Sequence, residues 1–160
     1  MEKVLISSCL LGNKVRYNAS GLSVAKQDLA WLKSHVELIA MCPEVYAGLS
    51  IPRAPAEIIL GQGAEVIDGK AVVMTNDGHE VTAAFLLGAE LTLQMCQKQG
   101  IRYVVLAEGS PSCGSLQIYD GTFTGVKKTG KGVTTATLLQ HGIQVFSQHS
   151  IANLKQELQA

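Results

Sequence analysis

The sequence predicts an α/β fold in three layers, a mainly parallel, Rossmann-like sheet with helices on both faces and a peripheral β-hairpin. Short β-branched runs alternate with helical patterns almost throughout, which favours right-handed crossovers between parallel strands. The 160 residues are 47% hydrophobic, as is typical of one compact domain, here residues 1–160. Asp68-Gly69 between two apolar runs is a strong hairpin-turn signal.

The N-terminal region supplies the first strand and the first helix of this alternation. The β-branched run "KVLISS" predicts a short buried strand. In "LSVAKQDLAWLKSH", apolar residues recur at spacings of three and four from Leu22 to Leu32. This spacing predicts an amphipathic helix, with Ser20 or Ser23 available as its cap.

The next region predicts a second strand, a short helix and the hairpin. The run "VELIAM" is the strand, and Pro43 just after it suits the first position of a helix, where its missing N–H would be unpaired anyway. The runs "AEVI" and "KAVVM" flank Asp68-Gly69. We therefore expect them to be the two strands of a peripheral hairpin.

The second half of the chain predicts three helices and two strands. The longest helix lies in "HEVTAAFLLGAELTLQMCQKQG", with Asp77 as a possible cap and Gly100 at its end. The run "RYVVLA" predicts a buried strand, "KGVTTATLLQHG" a helix ended by Gly142, and "IQVFS" a strand. The segment "SIANLKQEL" predicts a C-terminal helix capped by Ser150.

Charge and hydropathy exclude several classes of partner. Thirteen basic and thirteen acidic residues cancel, and without a basic stripe there is no electrostatic case for nucleic acid or an anionic membrane. A small neutral ligand fits this balance better. The N-terminus makes a poor signal peptide, and no apolar run approaches the roughly 20 residues that span a bilayer. The chain is therefore expected to be cytoplasmic, with its thiols reduced. Monomer and homodimer are both left open.

Three of the four cysteines follow predicted strands. Cys9 comes after the first strand, Cys42 after the second, and Cys113 lies in the loop that leaves "RYVVLA". Because ligands of open parallel sheets bind at the carboxyl ends of the strands, we expect these three thiols to meet at one edge. Cys96 lies inside the longest predicted helix and is expected to be a small buried hydrophobe.

Four interpretations of the three cysteines remain open at this point. They could be scattered core thiols, or a disulfide pair could form, which the reducing compartment disfavours. A zinc site would need a fourth ligand and usually shows close CxxC pairs, which are absent. Three separated thiolates also suit an iron-sulfur cluster in which one iron lacks a protein ligand. The histidines, each expected at the surface or a helix end, are His35, His79, His141 and His149.

Five motifs occur in order over about residues 4–148: "SSCLLGNKVRYN", "CPEVYAGLSIPR", "VTAAFLLGA", "EGSPSCGSLQIYDGTFTG" and "GKGVTTATLL". With them the chain resembles the TudS-type thiouracil desulfidase family. The resemblance implies a 4Fe-4S cluster held by Cys9, Cys42 and Cys113. It also implies a fourth iron that captures the sulfur of a 2-thiouracil-like nucleobase, and non-redox release of the oxo base and sulfide. The family's carboxylate falls on Glu44 and its serine on Ser110.

The residue chemistry is compatible with these two implied roles. Exchange of C=S for C=O moves protons from water to departing sulfur, so Glu44 could be a proton shuttle. Its alternative role is stabilisation of the first turn of the helix after Pro43. Ser110 could hydrogen-bond a pyrimidine carbonyl or ring N–H, or it could satisfy the backbone of its own turn.

Other residues give weaker signals. Arg16, Tyr17 and Arg53 could line the mouth of the crevice, although surface packing explains each of them as well. The glycine-rich segment "YDGTFTGVKKTGKG" lacks P-loop spacing and is expected to be a mobile loop or lid.

Two alternative functions compete with the desulfidase. A cysteine-nucleophile hydrolase could use Cys113, but the strong motifs contain no histidine to act as its base. A non-catalytic metal-binding or sensing domain could use the three thiolates to hold zinc or a cluster.

Overall fold

The computed structural model of the chain describes residues 1–19 and 24–160. The strands in this part of the chain are β1 (Lys3–Ser7), β2 (Glu37–Met41), β3 (Ala56–Ile59), β4 (Val72–Thr75), β5 (Tyr103–Val105), β6 (Gln117–Tyr119), β7 (Lys127–Thr129) and β8 (Gln144–Phe146). The helices are α1 (Lys26–His35), α2 (Pro43–Tyr46), α3 (Gly63–Ile67), α4 (Thr82–Gln99), α5 (Val133–Gln140) and α6 (Ile151–Gln159). No helix of the described residues is long and apolar enough to cross a membrane.

The predicted parallel sheet is confirmed. Its strands lie in the order β2-β1-β5-β8, and every neighbouring pair is parallel. Side chains alternate across it, because successive residues of a strand point to opposite faces. Val4 and Ile6 pack into one core with α1 and α6, whereas Leu5 packs into another with α4 and α5. The three-layer arrangement follows from this alternation.

Two antiparallel hairpins lie beside the sheet, formed by β3 with β4 and by β6 with β7. A third apolar cluster fills the space that is enclosed by the two hairpins, α3 and the first half of α4. It includes Ile58, Val73, Phe85 and Ile118, all at most 2% exposed. The hairpins are therefore packed onto the α4 side of the sheet.

The peripheral hairpin exists, but its predicted strand pairing is wrong. The run "AEVI" belongs to α3, where a capping box joins Gln62 and Glu65. The capping box satisfies two backbone N–H groups that a helix start leaves unpaired, which favours helix despite the β-branched residues. β3 therefore pairs with β4 across α3, and Asp68-Gly69 ends the helix.

Three other local predictions need correction. α1 begins at Lys26 because the backbone of Ala25, with ψ 137°, is not helical. The predicted caps at Ser20 and Ser23 lie outside the described residues. Asp77 does not cap α4; its carboxylate accepts from the Thr75 hydroxyl instead. Ser150 stands at the start of α6, but its hydroxyl accepts from the backbone of Ser147.

The segment expected to be a mobile loop or lid forms the β6-β7 hairpin. Backbone pairing joins Gln117 to Thr129 and Tyr119 to Lys127. Ile118, between them on β6, is 1% exposed and packs into the third cluster. The face of the hairpin that carries Ile118 therefore packs against the apolar core, and the opposite face is directed away from it.

Candidate active site

A pocket of about 920 Å³ lies at the carboxyl ends of the sheet strands. Cys9, Cys42 and Cys113 all line it. Their convergence follows from strand register: Ser7, the last residue of β1, pairs with Met41, the last residue of β2, so both strands end at the same level. β5 runs parallel on the other side of β1 and delivers the third loop to the same edge.

Short-range structure holds Cys9 and Cys42. Cys9 lies in a single 3-10 turn over Ser8–Leu10 that follows β1 directly. Cys42 is the residue before α2, with Pro43 at the first helical position as predicted. Gly88 of α4 lies against this turn, since a Cβ there would come within 2.5 Å of the Pro43 carbonyl oxygen. The close packing of α4 therefore fixes the position of Cys42.

The first turn of α5 holds the Cys113 loop. Backbone N–H groups of Val133 and Thr134 donate to the carbonyls of Pro111 and Ser112, at 2.8 and 2.9 Å. A Cβ on Gly132 would lie 2.4 Å from the Ser112 carbonyl, so only glycine permits this approach. The motif "GKGVTTATLL" thus supports the cysteine loop.

Glu108 closes the other end of this loop and was not singled out from the sequence. Its Oε1 accepts from the backbone N–H groups of Ser115, Leu116 and Gln117, at 2.8 to 3.0 Å. Its Oε2 accepts from the Ser115 hydroxyl at 2.6 Å. Partial burial alone would raise the pKa of Glu108, but these hydrogen bonds outweigh it and lower the pKa. The carboxylate therefore fastens the segment that follows Cys113.

We expect Glu108→Gln to lower the free energy of unfolding by roughly 1–2 kcal/mol at neutral pH, because hydrogen bonds to a charged acceptor are stronger. A carboxylate whose pKa is lower in the folded protein than in the unfolded chain adds stability at pH values above the unfolded pKa. This contribution is lost as the pH falls through the folded-state pKa. The difference from wild type should therefore shrink below the ordinary glutamate pKa of 4.5. Urea unfolding at several pH values measures it; a pH-independent difference would contradict this role.

Ser110 lines the pocket and supports its own turn. Its hydroxyl oxygen accepts from the Cys113 N–H at 2.7 Å, and its carbonyl accepts from the Gly114 N–H at 2.9 Å. A hydroxyl that accepts one hydrogen bond can still donate its own hydrogen. The turn role and a ligand contact are thus compatible in the same side chain.

Glu44 and Arg53 form an ion pair inside the pocket. Arg53 Nη2 lies 3.1 Å from Glu44 Oε2, with side chains 9% and 17% exposed. Arg53 Nη1 also donates to the carbonyls of Val15 and Ser50. Burial raises the pKa of Glu44, although Arg53 acts in the opposite direction. Surface packing does not describe Arg53, which fixes the orientation of the carboxylate two residues from Cys42.

Arg16 and Tyr17 line the mouth of the pocket. The Arg16 guanidinium lies 5.9 Å from the Tyr17 ring centroid, and the Tyr17 carbonyl accepts from the Arg53 N–H.

His149 is exposed, in keeping with its predicted surface position, but it also lines this pocket. No sequence pattern indicated that His149 would line the pocket, because it is the tertiary fold that brings the loop after β8 to this site.

The fourth cysteine is separate from the pocket. Cys96 is fully buried in α4, as predicted, among apolar side chains of the core on that face. Burial raises the pKa of its thiol to about 11. Cys96 therefore behaves as a small core residue.

The three pocket thiols suit a soft metal cluster. Burial, and then the neighbouring Cys42, raise the pKa of Cys9 to about 11; burial also raises the pKa values of Cys42 and Cys113. A bound cation must therefore displace their protons. Among the described residues no group of three or more His, Cys, Asp or Glu is arranged to hold a metal ion. Three thiols from three different loops could each bind one iron of a cluster, whereas a zinc site would need a fourth ligand.

Comparisons with known proteins agree with this chemistry. The family model for 2-thiouracil desulfurase matches residues 4–150. The uncharacterized protein YbbK of Bacillus subtilis (strain 168) is 42% identical over 151 residues, which cover 94% of this chain and 99% of that protein. The solved structure of TudS, described as a 4Fe-4S-dependent thiouracil desulfidase, matches with a TM-score of 0.88 at 46% identity over 99% of both chains. The chain belongs to the 2-thiouracil desulfurase family.

Proposed function

We propose that this chain is a 4Fe-4S-dependent desulfidase that converts a 2-thiouracil-like base and water into the oxo base and sulfide. One domain, residues 1–160, carries the reaction. The observation that carries the proposal is the convergence of Cys9, Cys42 and Cys113 on one pocket that also holds the partly buried carboxylate of Glu44. Membership of the 2-thiouracil desulfurase family and likeness to TudS support the choice of substrate and cofactor.

The cysteines would hold three irons of the cluster, one thiolate to each. When bound, the cluster supplies a fourth iron without a protein ligand, a Lewis acid suited to the soft sulfur of a thiocarbonyl. The loops that carry the three cysteines all follow strands that end at this edge of the sheet, namely β1, β2 and β5. The chain would therefore supply a thiolate to three of the four irons of a 4Fe-4S cluster.

Glu44 and Ser110 would handle the organic substrate. Water attacks the carbon that bears sulfur, the C–S bond breaks, and two protons leave the water while the departing sulfide accepts protons. The Glu44 carboxylate is suited to carry a proton between these atoms, because burial raises its pKa and Arg53 holds its orientation. Ser110 retains a hydroxyl hydrogen for a carbonyl of the base, while its oxygen accepts from Cys113 N–H. No net oxidation or reduction is involved.

The two alternative functions receive less support. Burial raises the pKa of Cys113, which disfavours the thiolate that a cysteine nucleophile requires. The hydrogen bonds of the described residues pair no imidazole with it; they tie its loop to Ser110 and α5. A purely structural metal site would not need the 920 Å³ pocket or the partly buried Glu44–Arg53 pair beside the thiols.

We infer a reducing compartment, the cytoplasm, because a cluster held by Cys9, Cys42 and Cys113 requires these cysteines to remain free of disulfides. A reducing environment also protects a cluster with one exposed iron. Monomer and homodimer both remain compatible with a pocket that a single chain forms. Light scattering of the cluster-loaded protein distinguishes them.

Anaerobic purification or reconstitution tests the proposal directly. We expect brown protein with iron and acid-labile sulfide, which produces uracil and sulfide in equal amounts from 2-thiouracil. Fully active, iron-free protein would instead support a cysteine hydrolase. Cluster-loaded protein that releases no sulfide from any thionucleobase would support sensing, and zinc without visible absorbance would support a structural metal site.

A further inference from the structure

Glu57 is a buried acidic residue that the proposed chemistry does not use. It lies on β3, is only 8% exposed, and lines the same pocket as the three cysteines. Carboxylates are rarely buried to this extent without partners, because the loss of hydration is costly. Its hydrogen bonds therefore indicate what the side chain does.

One carboxylate oxygen of Glu57 holds the tip of the β6-β7 hairpin. Oε1 accepts from the backbone N–H of Gly121 at 2.9 Å and from that of Phe123 at 3.2 Å. The same hairpin presents alternate side chains to the pocket, namely Gln117, Tyr119, Lys127 and Thr129. Oε1 thus ties one wall of the pocket to β3.

The second oxygen, Oε2, accepts no hydrogen bond from the residues that the structure describes. Every fully buried side-chain oxygen in that part of the chain has a hydrogen-bond partner. Because Oε2 has none, it is not fully buried. Since Glu57 lines the pocket, its accessible oxygen is available to a ligand there. The tip needs only one acceptor, which a neutral amide oxygen would also provide.

We propose that Glu57 is a specificity-determining residue whose Oε2 accepts a hydrogen bond from a ring N–H of the thiolated base. This inference rests on the proposed function. In 2-thiouracil the C=S carbon lies between two ring N–H groups, so a base whose sulfur points to the cysteines has donors on both sides of that bond. A site built to accept from an N–H discriminates strongly against analogues that lack it, because its buried acceptor would then be unpaired.

Glu57→Gln separates this role from the anchoring role. The amide oxygen can still accept from Gly121 and Phe123, and those two N–H groups fix the orientation of the amide. The pocket then faces an NH₂ donor where the wild type has an acceptor. We expect the variant to fold and load its cluster, and its kcat/KM for 2-thiouracil to fall about ten- to a hundredfold.

Methylated substrates give the decisive comparison. For the cluster-loaded wild type, kcat/KM should be higher for 2-thiouracil than for at least one of 1-methyl-2-thiouracil and 3-methyl-2-thiouracil. The position of the methyl group that lowers kcat/KM identifies the ring N–H that Glu57 binds. In Glu57→Gln this preference should shrink by about the same factor as kcat/KM. Glu65→Gln is the matched control, because Glu65 caps α3 outside the pocket. An unchanged preference in folded, cluster-loaded Glu57→Gln would overturn the inference.

Binding of the product supplies a readout that does not depend on turnover or on the variant. Calorimetry with the wild-type holoenzyme should give weaker binding of 1-methyluracil or 3-methyluracil than of uracil. Equal affinity for all three would exclude a ring N–H contact and overturn the role of Glu57. Failure to release sulfide from 2-thiouracil would instead overturn the proposed function, and the two failures are therefore distinguishable.

Discussion

Replacement of Cys9, Cys42 or Cys113 by alanine, one at a time, is expected to abolish sulfide release from 2-thiouracil and to remove the visible absorbance of the anaerobically reconstituted protein. Each thiol lines the same pocket from a different loop, so the loss of one leaves two anchors for the cluster. Two thiolates leave a second iron without a protein ligand, which destabilises the cluster. Iron and acid-labile sulfide content, measured with activity, check this result.

Cys96→Ala is the matched control. Cys96 is a buried thiol, as Cys9 and Cys113 are, but it packs in the core among Leu93, Ile101 and other apolar side chains. We expect a small loss of stability, about 1 kcal/mol, with iron content and turnover unchanged. A pocket variant that retains a full cluster and wild-type activity would remove that cysteine from the ligand set, and loss of the cluster in Cys96→Ala would point to a different set.

The position of the cysteines could be predicted because it depends only on chain topology. Parallel strands joined by helices end at one edge, so residues that follow the first, second and fifth strands must approach each other. The prediction needs only the direction of the strands, and the alternation of β-branched runs with helices indicates that they are parallel. It does not need side-chain detail.

The roles of Glu57 and Arg53 were harder to predict because their partners lie far along the chain. Glu57 meets Gly121, 64 positions later, and Arg53 meets the carbonyl of Val15, 38 positions earlier. Nothing in the local pattern around either residue identifies those partners. An acidic residue inside the apolar run "AEIIL" was nevertheless a usable signal, because buried strands seldom carry an unpaired charge.

The strand wrongly predicted at "AEVI" shows a different limit. Its β-branched residues favour a strand, whereas the capping box of Gln62 and Glu65 favours a helix. Tertiary structure determines the outcome: β4 pairs antiparallel with β3, so the segment between them is not needed as a strand and forms α3. Short apolar runs of this kind remain ambiguous until their neighbours are known.

Glu44→Gln should retain the cluster but lower kcat for 2-thiouracil by about 10²- to 10⁴-fold, the range that a positioned proton carrier contributes. The glutamine oxygen can still accept from Arg53, which lies 3.1 Å from the present carboxylate, so the geometry around Cys42 is preserved. The amide cannot take up and return a proton. Iron content and visible absorbance should therefore match wild type while turnover is lost.

Glu90→Gln is the control for this variant, because Glu90 is exposed on α4 and lies outside the pocket. It should leave both turnover and the cluster unchanged. Loss of visible absorbance in Glu44→Gln would show that the carboxylate holds the metal site together and does not shuttle protons. Wild-type turnover in that variant would assign proton transfer to another group, and the raised pKa of Glu44 would then be only a consequence of its burial beside Arg53.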